Sequence, residues 1–124
     1  MKCASQKPAV LVVEDETLQA LTLESVLQNS GYEVVGPTGD LDEALRLIRT
    51  HRIDAAILDI RLSKNAVVYP AARALQQRHI TFVFTTAYDP AAPKDFGFTE
   101  MTLQKPLKRS VIEKVVRSIA QPAR

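Results

Sequence analysis

The sequence predicts an α/β domain in which a parallel sheet carries helices on both faces. Short apolar runs alternate with segments of helical periodicity in the order β-α-β-α-β-α-β, followed by an uncertain element and then β-α. The first apolar run, residues 9–13, is unbroken and rich in valine, which is typical of a strand buried on both faces. Alternation of strands and helices at this spacing favours a parallel sheet.

Five segments have the composition of strands. Each is short and apolar, and most are rich in β-branched or aromatic residues. In an open parallel sheet, ligands bind beyond the carboxyl ends of the strands, so the residues that end each strand are the candidates for a site. The predicted strands are residues 9–13, 32–35, 55–60, 81–85 and 101–104.

Four segments have helical periodicity, and a fifth is interrupted by proline and glycine. Gly31 is expected to end the first helix in the left-handed conformation, and Asp40, with an acid three residues later, has capping-box spacing. Pro70 suits the first turn of the third helix. Pro93 and Gly97 limit a fourth helix to about one turn. The predicted apolar faces are Leu23, Val26 and Leu27; Leu41, Ala44, Leu45 and Ile48; Val68, Ala71, Ala72 and Leu75; and Ile112, Val115, Val116 and Ile119.

Composition and motifs argue against several classes of protein. The chain has 124 residues, the length of one domain, and its net charge of +2 comes from scattered basic residues, which argues against nucleic-acid binding. Cys3 is the single cysteine, so a free thiol in a reducing compartment is expected. No signal peptide or membrane span is evident, and a cytoplasmic protein is expected. Walker, dinucleotide-binding and H-E-x-x-H motifs are all absent.

Polar residues end the predicted strands at one edge of the sheet. Glu14 and Asp15 follow the first strand, and Asp59 lies in the apolar third strand. Thr86 follows the fourth strand and Lys105 the fifth. Individually, Asp15 could cap a helix and Asp59 could be a paired structural acid. Thr86 could be a loop hydroxyl and Lys105 a solvated side chain. Their convergence on one edge favours a functional site.

Phosphoryl transfer would explain why these residue types occur together. Crowded carboxylates repel one another and their pKa values rise unless a cation neutralises them. Mg²⁺ prefers carboxylates, water and phosphate oxygens, so it would keep Glu14, Asp15 and Asp59 ionised. Asp59 could then attack phosphorus as a nucleophile. Lys105 and the metal would stabilise the transferring group, and the Thr86 hydroxyl could donate to a phosphoryl oxygen.

Four segments resemble the receiver domain of bacterial response regulators. They are VLVVEDE at 10–16, AAILDIRL at 55–62, TTAYD at 85–89 and LQKPL at 103–107. The resemblance implies a flavodoxin-like (βα)5 three-layer sandwich with a five-stranded parallel sheet in the order 2-1-3-4-5, here with a short or absent fourth helix. It also implies that residues 1–124 are a single receiver domain without an output domain.

The resemblance assigns a role to each site residue. Asp59 matches the phosphoacceptor, and Glu14 and Asp15 match the acidic pair that holds Mg²⁺ directly or through water. The backbone carbonyl of Arg61 matches a further metal ligand. Thr86 matches the switch hydroxyl, and Lys105 matches the lysine that precedes a cis proline.

The sequence departs from the family pattern in four places. Glu14 stands where Asp is usual, and Thr102 stands where a switch aromatic is usual. The fourth helix is shortened, and the loop at 63–70 lacks the usual glycines. These departures resemble an alphaproteobacterial subfamily, often of stand-alone receivers, whose signature is Phe-x-Phe-Ala-Thr-Gly-Tyr. The matching residues are Phe82, Phe84, Thr86 and Tyr88, while Thr85 and Ala87 differ.

The resemblance implies a phosphoacceptor switch rather than an enzyme with its own substrate. A sensor histidine kinase would donate the phosphoryl group, and the partner would be a downstream protein or a histidine phosphotransfer protein that receives or drains it. A monomer or weak dimer without direct nucleic-acid or membrane contact is expected. One alternative is a receiver-fold module that binds protein independently of phosphorylation, suggested by Thr102. A hydrolase would need a second Asp two residues after Asp59, where Arg61 stands.

Overall fold

The computed structural model describes residues 7–120 and contains one five-stranded sheet whose strand pairs are all parallel. The strands are β1 (Ala9–Val13), β2 (Glu33–Thr38), β3 (Ala55–Asp59), β4 (Thr81–Thr86) and β5 (Thr102–Gln104). Their order in the sheet is β2-β1-β3-β4-β5, which confirms the predicted order. Cys3 lies outside the described residues.

Helices cover both faces of the sheet, so the predicted three-layer architecture is confirmed. The helices are α1 (Thr17–Asn29), α2 (Leu41–Thr50), α3 (Tyr69–Gln77) and α4 (Arg109–Ile119). The core on one face includes buried residues of α1 and α4, and the core on the other includes buried residues of α2 and α3. Between residues 7 and 120, none of the helices has the length and apolar character needed to cross a membrane.

Strand β1 lies inside the sheet and contributes to both cores. Val10 and Val12 pack with α1 and α4, whereas Leu11 and Val13 pack with α2 and α3. Side chains of a strand alternate between faces, so a strand covered on both sides must be apolar at every position. This explains the unbroken aliphatic run.

Strand β2 is longer than predicted. It begins one residue later, at Glu33, and continues through a cis Gly36–Pro37 bond to Thr38. Pairing with β1 resumes at Val13 and Thr38 after a register shift. The strand tolerates Pro37 because it lies at the sheet edge, where a missing N–H breaks no ladder on the outer side. The other predicted strands are correct to within one residue at each end.

Helix α2 begins as predicted, but only half of the expected capping box forms. The Asp40 carboxylate accepts a hydrogen bond of 2.9 Å from the Glu43 backbone N–H. The Glu43 side chain does not return the contact, because it pairs with Arg46 at 2.6 Å. Leu47 is buried although the predicted apolar face did not include it. Helix α2 contacts both the sheet and α3, which widens its buried face.

A single 3₁₀ turn, Ala92–Phe96, replaces a helix between β4 and β5. Gly97 ends this turn with a φ of 83°, and the short fourth helix is thereby confirmed. Arg73 of α3 holds the turn in place. Its guanidinium lies 4.1 Å from the centre of the Phe98 ring and donates to the Phe96 carbonyl at 2.5 Å.

Candidate functional site

Three carboxylates meet where β1 and β3 end. Glu14 and Asp15 directly follow β1, and Asp59 is the last residue of β3. One carboxylate oxygen from each lies within 4.8 Å of the others. Glu14 and Asp59 are buried, and Asp15 is exposed. The parallel sheet therefore places the predicted acids together, as expected from their positions at strand ends.

Lys105 lies between the two buried acids. Its ammonium nitrogen is 2.9 Å from Glu14 Oε1 and 3.1 Å from Asp59 Oδ2. The backbone N–H of Lys105 donates to the Thr86 carbonyl at 2.7 Å, which fixes the lysine beside the end of β4. The Lys105–Pro106 bond is cis, as the resemblance implied. The cluster holds three carboxylates and Lys105 pairs with two of them, so a net negative charge remains for a cation to neutralise.

This crowding shifts the ionisation of the site. Burial, followed by repulsion from Glu14, raises the pKa of Asp59 to about 7, although Lys105 acts in the opposite direction. Burial lowers the pKa of the Lys105 ammonium, but its contacts with Glu14 and Asp59 outweigh this, so the pKa of Lys105 is raised. Lys105 is therefore charged at neutral pH, whereas metal-free Asp59 is partly protonated.

The acids open into a cavity of about 220 Å³. Arg61 and Tyr88 form part of its wall, with the Arg61 guanidinium 4.8 Å from the centre of the exposed Tyr88 ring. Thr86 is buried beside the cavity but does not line it. Its hydroxyl oxygen accepts a hydrogen bond of 3.0 Å from the Tyr88 backbone N–H. The structure thus places Arg61 in the lining of the cavity, whereas Thr86 is buried next to the residues that line it.

The donor set fits Mg²⁺. All three acids offer carboxylate oxygens, which are the protein ligands that this hard cation prefers. Glu14 Oε1 is buried and accepts no hydrogen bond from the described residues; the Lys105 ammonium contacts it at 2.9 Å but donates its hydrogen bond to Oε2, at 3.1 Å. Asp15 does not begin α1; the N-cap residue is Glu16. The interpretation of Asp15 as a helix cap is therefore wrong.

Two neighbouring residues were missed by the sequence analysis. Gly39 packs against the Asp15 backbone, and Ser63 donates to the Gly39 carbonyl. Neither belongs to a recognisable local motif, and they lie 24 residues apart in the chain. Their contacts arise only when β1, β2 and β3 lie side by side, so no local sequence signal could have found them.

Residues 10–117 match the family model described as the response regulator receiver domain. The match covers most of the chain, and the protein therefore belongs to the response regulator receiver domain family. The resemblance predicted from the four sequence segments is confirmed. The assignment of individual residues to roles stays a prediction.

Similar proteins include both curated relatives and solved structures. The chain is 34% identical over 79 residues to the transcriptional regulatory protein PdtaR of Mycobacterium tuberculosis, and the aligned part is 64% of this chain but only 38% of PdtaR. It is 32% identical to SdrG of Sphingomonas melonis Fr1, with a TM-score of 0.76 and coverage of 91% of this chain and 96% of SdrG.

A third similarity concerns the fold alone. The receiver domain of the Pseudomonas aeruginosa sensor histidine kinase PA1611 has a TM-score of 0.77, with 24% identity and coverage of 92% of this chain and 98% of that domain. Its structure is described with a magnesium ion coordinated in the active-site cleft. The chain spans less than half the length of PdtaR.

Proposed function

We propose that this receiver accepts a phosphoryl group on Asp59 within a two-component system. The observation that carries the proposal is the position of Asp59 in the open cavity, with its carboxylate 3.1 Å from the Lys105 ammonium and near two further acids. A carboxylate that borders a cavity on one side and contacts a cationic group on the other is suited to nucleophilic attack on phosphorus.

The proposed donor is a phosphohistidine of a sensor histidine kinase. A carboxylate oxygen of Asp59 attacks phosphorus, a P–O bond forms, and the P–N bond breaks with its electron pair passing to the histidine nitrogen. The attacking form of Asp59 is the ionised one. Glu14, Asp15, Asp59 and the Arg61 carbonyl would hold Mg²⁺. The PA1611 receiver, which shares this fold, is described with a magnesium ion in its active-site cleft. When bound, Mg²⁺ supplies positive charge that keeps the carboxylates ionised and draws charge from the phosphoryl oxygens.

Lys105 and Thr86 would bind the phosphoryl oxygens. The Lys105 ammonium already contacts the Asp59 carboxylate, so it lies within reach of a group attached there. The Thr86 oxygen accepts from Tyr88, which leaves the hydroxyl proton available as a donor. Movement of Thr86 towards the phosphoryl group would therefore also alter its contact with the Tyr88 backbone. This links the modification of Asp59 to the surface around Tyr88.

Within the same proposal, the phosphorylated form changes its binding to a downstream protein or passes the group to a histidine phosphotransfer protein. A cytoplasmic location is part of the same proposal. A single domain, a monomer or weak dimer, and no direct nucleic-acid contact stay predictions. A phosphorylation-independent binding module is not favoured, because the acids, the hydroxyl and the lysine of the predicted site are all present and adjacent.

Labelling by a small phosphodonor tests the proposal. The protein is incubated with acetyl phosphate and Mg²⁺, and its intact mass is recorded. One alkali-labile phosphoryl adduct is expected in the wild type, and none after chelation of the metal or in Asp59→Asn. Asp54→Asn is a matched control, because the Asp54 carboxylate accepts a hydrogen bond from the Ala9 N–H at the opposite end of the sheet. This variant should be labelled like the wild type.

Two results would contradict the assignment. Labelling of Asp59→Asn at the wild-type stoichiometry would place the acceptor elsewhere. A wild-type protein that neither binds Mg²⁺ nor accepts phosphate, from acetyl phosphate or from a panel of autophosphorylated histidine kinases, would favour the phosphorylation-independent module.

A further inference from the structure

The loop between β2 and α2 packs directly on the backbone of Asp15 at Gly39. A Cβ atom at position 39 would lie 2.4 Å from Asp15 Cα and 2.6 Å from Asp15 Cβ. The φ angle of Gly39 lies outside the left-handed region, so its conformation is open to any residue. Glycine is therefore required here for space rather than for backbone freedom.

The same loop is tied to both strands that carry the site acids. The Glu14 backbone N–H donates to the Thr38 carbonyl at 2.8 Å, which fixes the loop beside β1. The Ser63 hydroxyl and N–H both donate to the Gly39 carbonyl, at 2.8 Å and 3.3 Å, which joins the loop to the segment after Asp59. Gly39 thus lies between Asp15 and the segment that follows the proposed phosphoacceptor, Asp59.

Asp15 depends on this packing more than its neighbour does. Glu14 is buried and its carboxylate is held by Lys105 at 2.9 Å. Asp15 is exposed, and its Cα and Cβ both lie against the space that a side chain at position 39 would occupy. The position of the Asp15 carboxylate is therefore set largely by where the backbone places it.

We propose that Gly39 is a positioning residue for metal binding, and that Ser63 assists it by holding the Gly39 carbonyl. The lack of a side chain at 39 lets the loop support Asp15 at the distance from Glu14 and Asp59 that a shared cation needs. The inference rests on the proposed function, because it assigns Asp15 as a metal ligand.

The expected effect follows from the distances. Ordinary van der Waals contact begins at 3.4 Å, so an alanine Cβ at 39 would push the Asp15 backbone away by about 1 Å. Mg²⁺ requires near-octahedral geometry, and ligand distances in metal sites vary by only about 0.2 Å. Loss of an orienting contact around a metal site typically weakens metal affinity by about 10–100-fold. Gly39→Ala should therefore weaken Mg²⁺ binding at least about tenfold.

Calorimetric titration of the metal-free protein with MgCl₂ tests this without reference to phosphorylation. Gly31→Ala is the matched control. Gly31 has a φ of +93°, and a Cβ added there would meet no atom within 4 Å, so alanine strains the backbone without crowding a neighbour. Both variants should lose thermal stability, but only Gly39→Ala should lose Mg²⁺ affinity. A dissociation constant for Gly39→Ala within about twofold of wild type would overturn the proposal.

Ser63→Ala decides the matter if circular dichroism shows that Gly39→Ala does not fold. It removes only the hydroxyl donor to Gly39. Loss of one hydrogen bond changes an equilibrium constant by about two- to tenfold, so we expect Mg²⁺ binding about threefold weaker or more, and unchanged affinity would overturn the inference. The two proposals fail in different ways. A wild-type protein that does not bind Mg²⁺ would refute the proposed function. A wild type that binds Mg²⁺ together with unaffected Gly39 and Ser63 variants would refute only the positioning role.

Discussion

Replacing Asp59 with Asn should stabilise the metal-free protein at neutral and alkaline pH. Burial and the neighbouring Glu14 raise the pKa of Asp59 from 3.8 to about 7, so ionisation of this side chain opposes folding. About three pKa units correspond to about 4 kcal/mol, and asparagine keeps the shape of the side chain without its charge. Water that enters the cavity screens the Asp59 charge and so reduces this energy. We therefore expect Asp59→Asn to raise the free energy of unfolding by about 1–4 kcal/mol.

The gain has a defined pH dependence. The pKa of Asp59 is higher in the folded than in the unfolded protein, so its contribution to wild-type stability is greatest below about pH 4 and declines as the pH rises to about 7. Asparagine does not titrate. The difference in unfolding free energy between variant and wild type should therefore grow between these two pH values and remain constant above them.

Urea unfolding followed by circular dichroism, with a chelator and over a series of pH values, measures this difference. Added Mg²⁺ should stabilise the wild type and have a smaller effect on Asp59→Asn, because the variant has lost one proposed ligand. The reasoning would be refuted by a variant that is less stable than the wild type at pH 8 without metal. A stability difference that shrinks as the pH rises would refute it equally.

Three further substitutions test other contacts by the same unfolding assay. Lys105→Met removes the cation between two buried acids and should lower the free energy of unfolding by about 3–5 kcal/mol at pH 8 without metal. Adding Asp59→Asn to the same chain should restore part of that loss. An unchanged free energy of unfolding in Lys105→Met would contradict the ion-pair geometry. Asp40→Ala removes the N-cap of α2 and should cost about 1 kcal/mol, whereas an unchanged midpoint would refute the cap. Arg73→Ala should lower the free energy of unfolding by about 1–2 kcal/mol. It should also accelerate hydrogen exchange of the Phe98 amide, which donates a hydrogen bond to the 3₁₀ turn that Arg73 contacts. Unchanged exchange would refute this role of Arg73.

The strand ends were predictable because they follow from local patterns. Apolar runs predict the strands. Because the carboxyl ends of parallel strands lie at one edge of the sheet, the proximity of Glu14, Asp59 and Lys105 could be predicted without knowledge of any contact. The short turn before β5 was also predictable, because Pro93 and Gly97 act on their own neighbourhood. The strand order came from the family resemblance, since local patterns do not define which strands pair.

Features that depend on packing between distant segments were not predictable. Strand β2 continues through Gly36 and Pro37, a pair that locally indicates a turn, because pairing with β1 extends to Thr38. Leu47 is buried because α2 contacts α3 as well as the sheet, a partner that helical periodicity does not identify. Gly39 likewise matters only through its distance to Asp15.

The contact between Lys105 and Glu14 joins residues 91 positions apart, so the acids that begin the site and the lysine that completes it come from opposite ends of the chain. The contact spans β3 and β4, which lie between β1 and β5 in the sheet, so no local segment can form it alone. Metal binding at this edge should therefore be lost in the same cooperative step as the sheet itself under denaturant. In this protein, the loss of Mg²⁺ binding with rising denaturant would report the unfolding of the whole sheet.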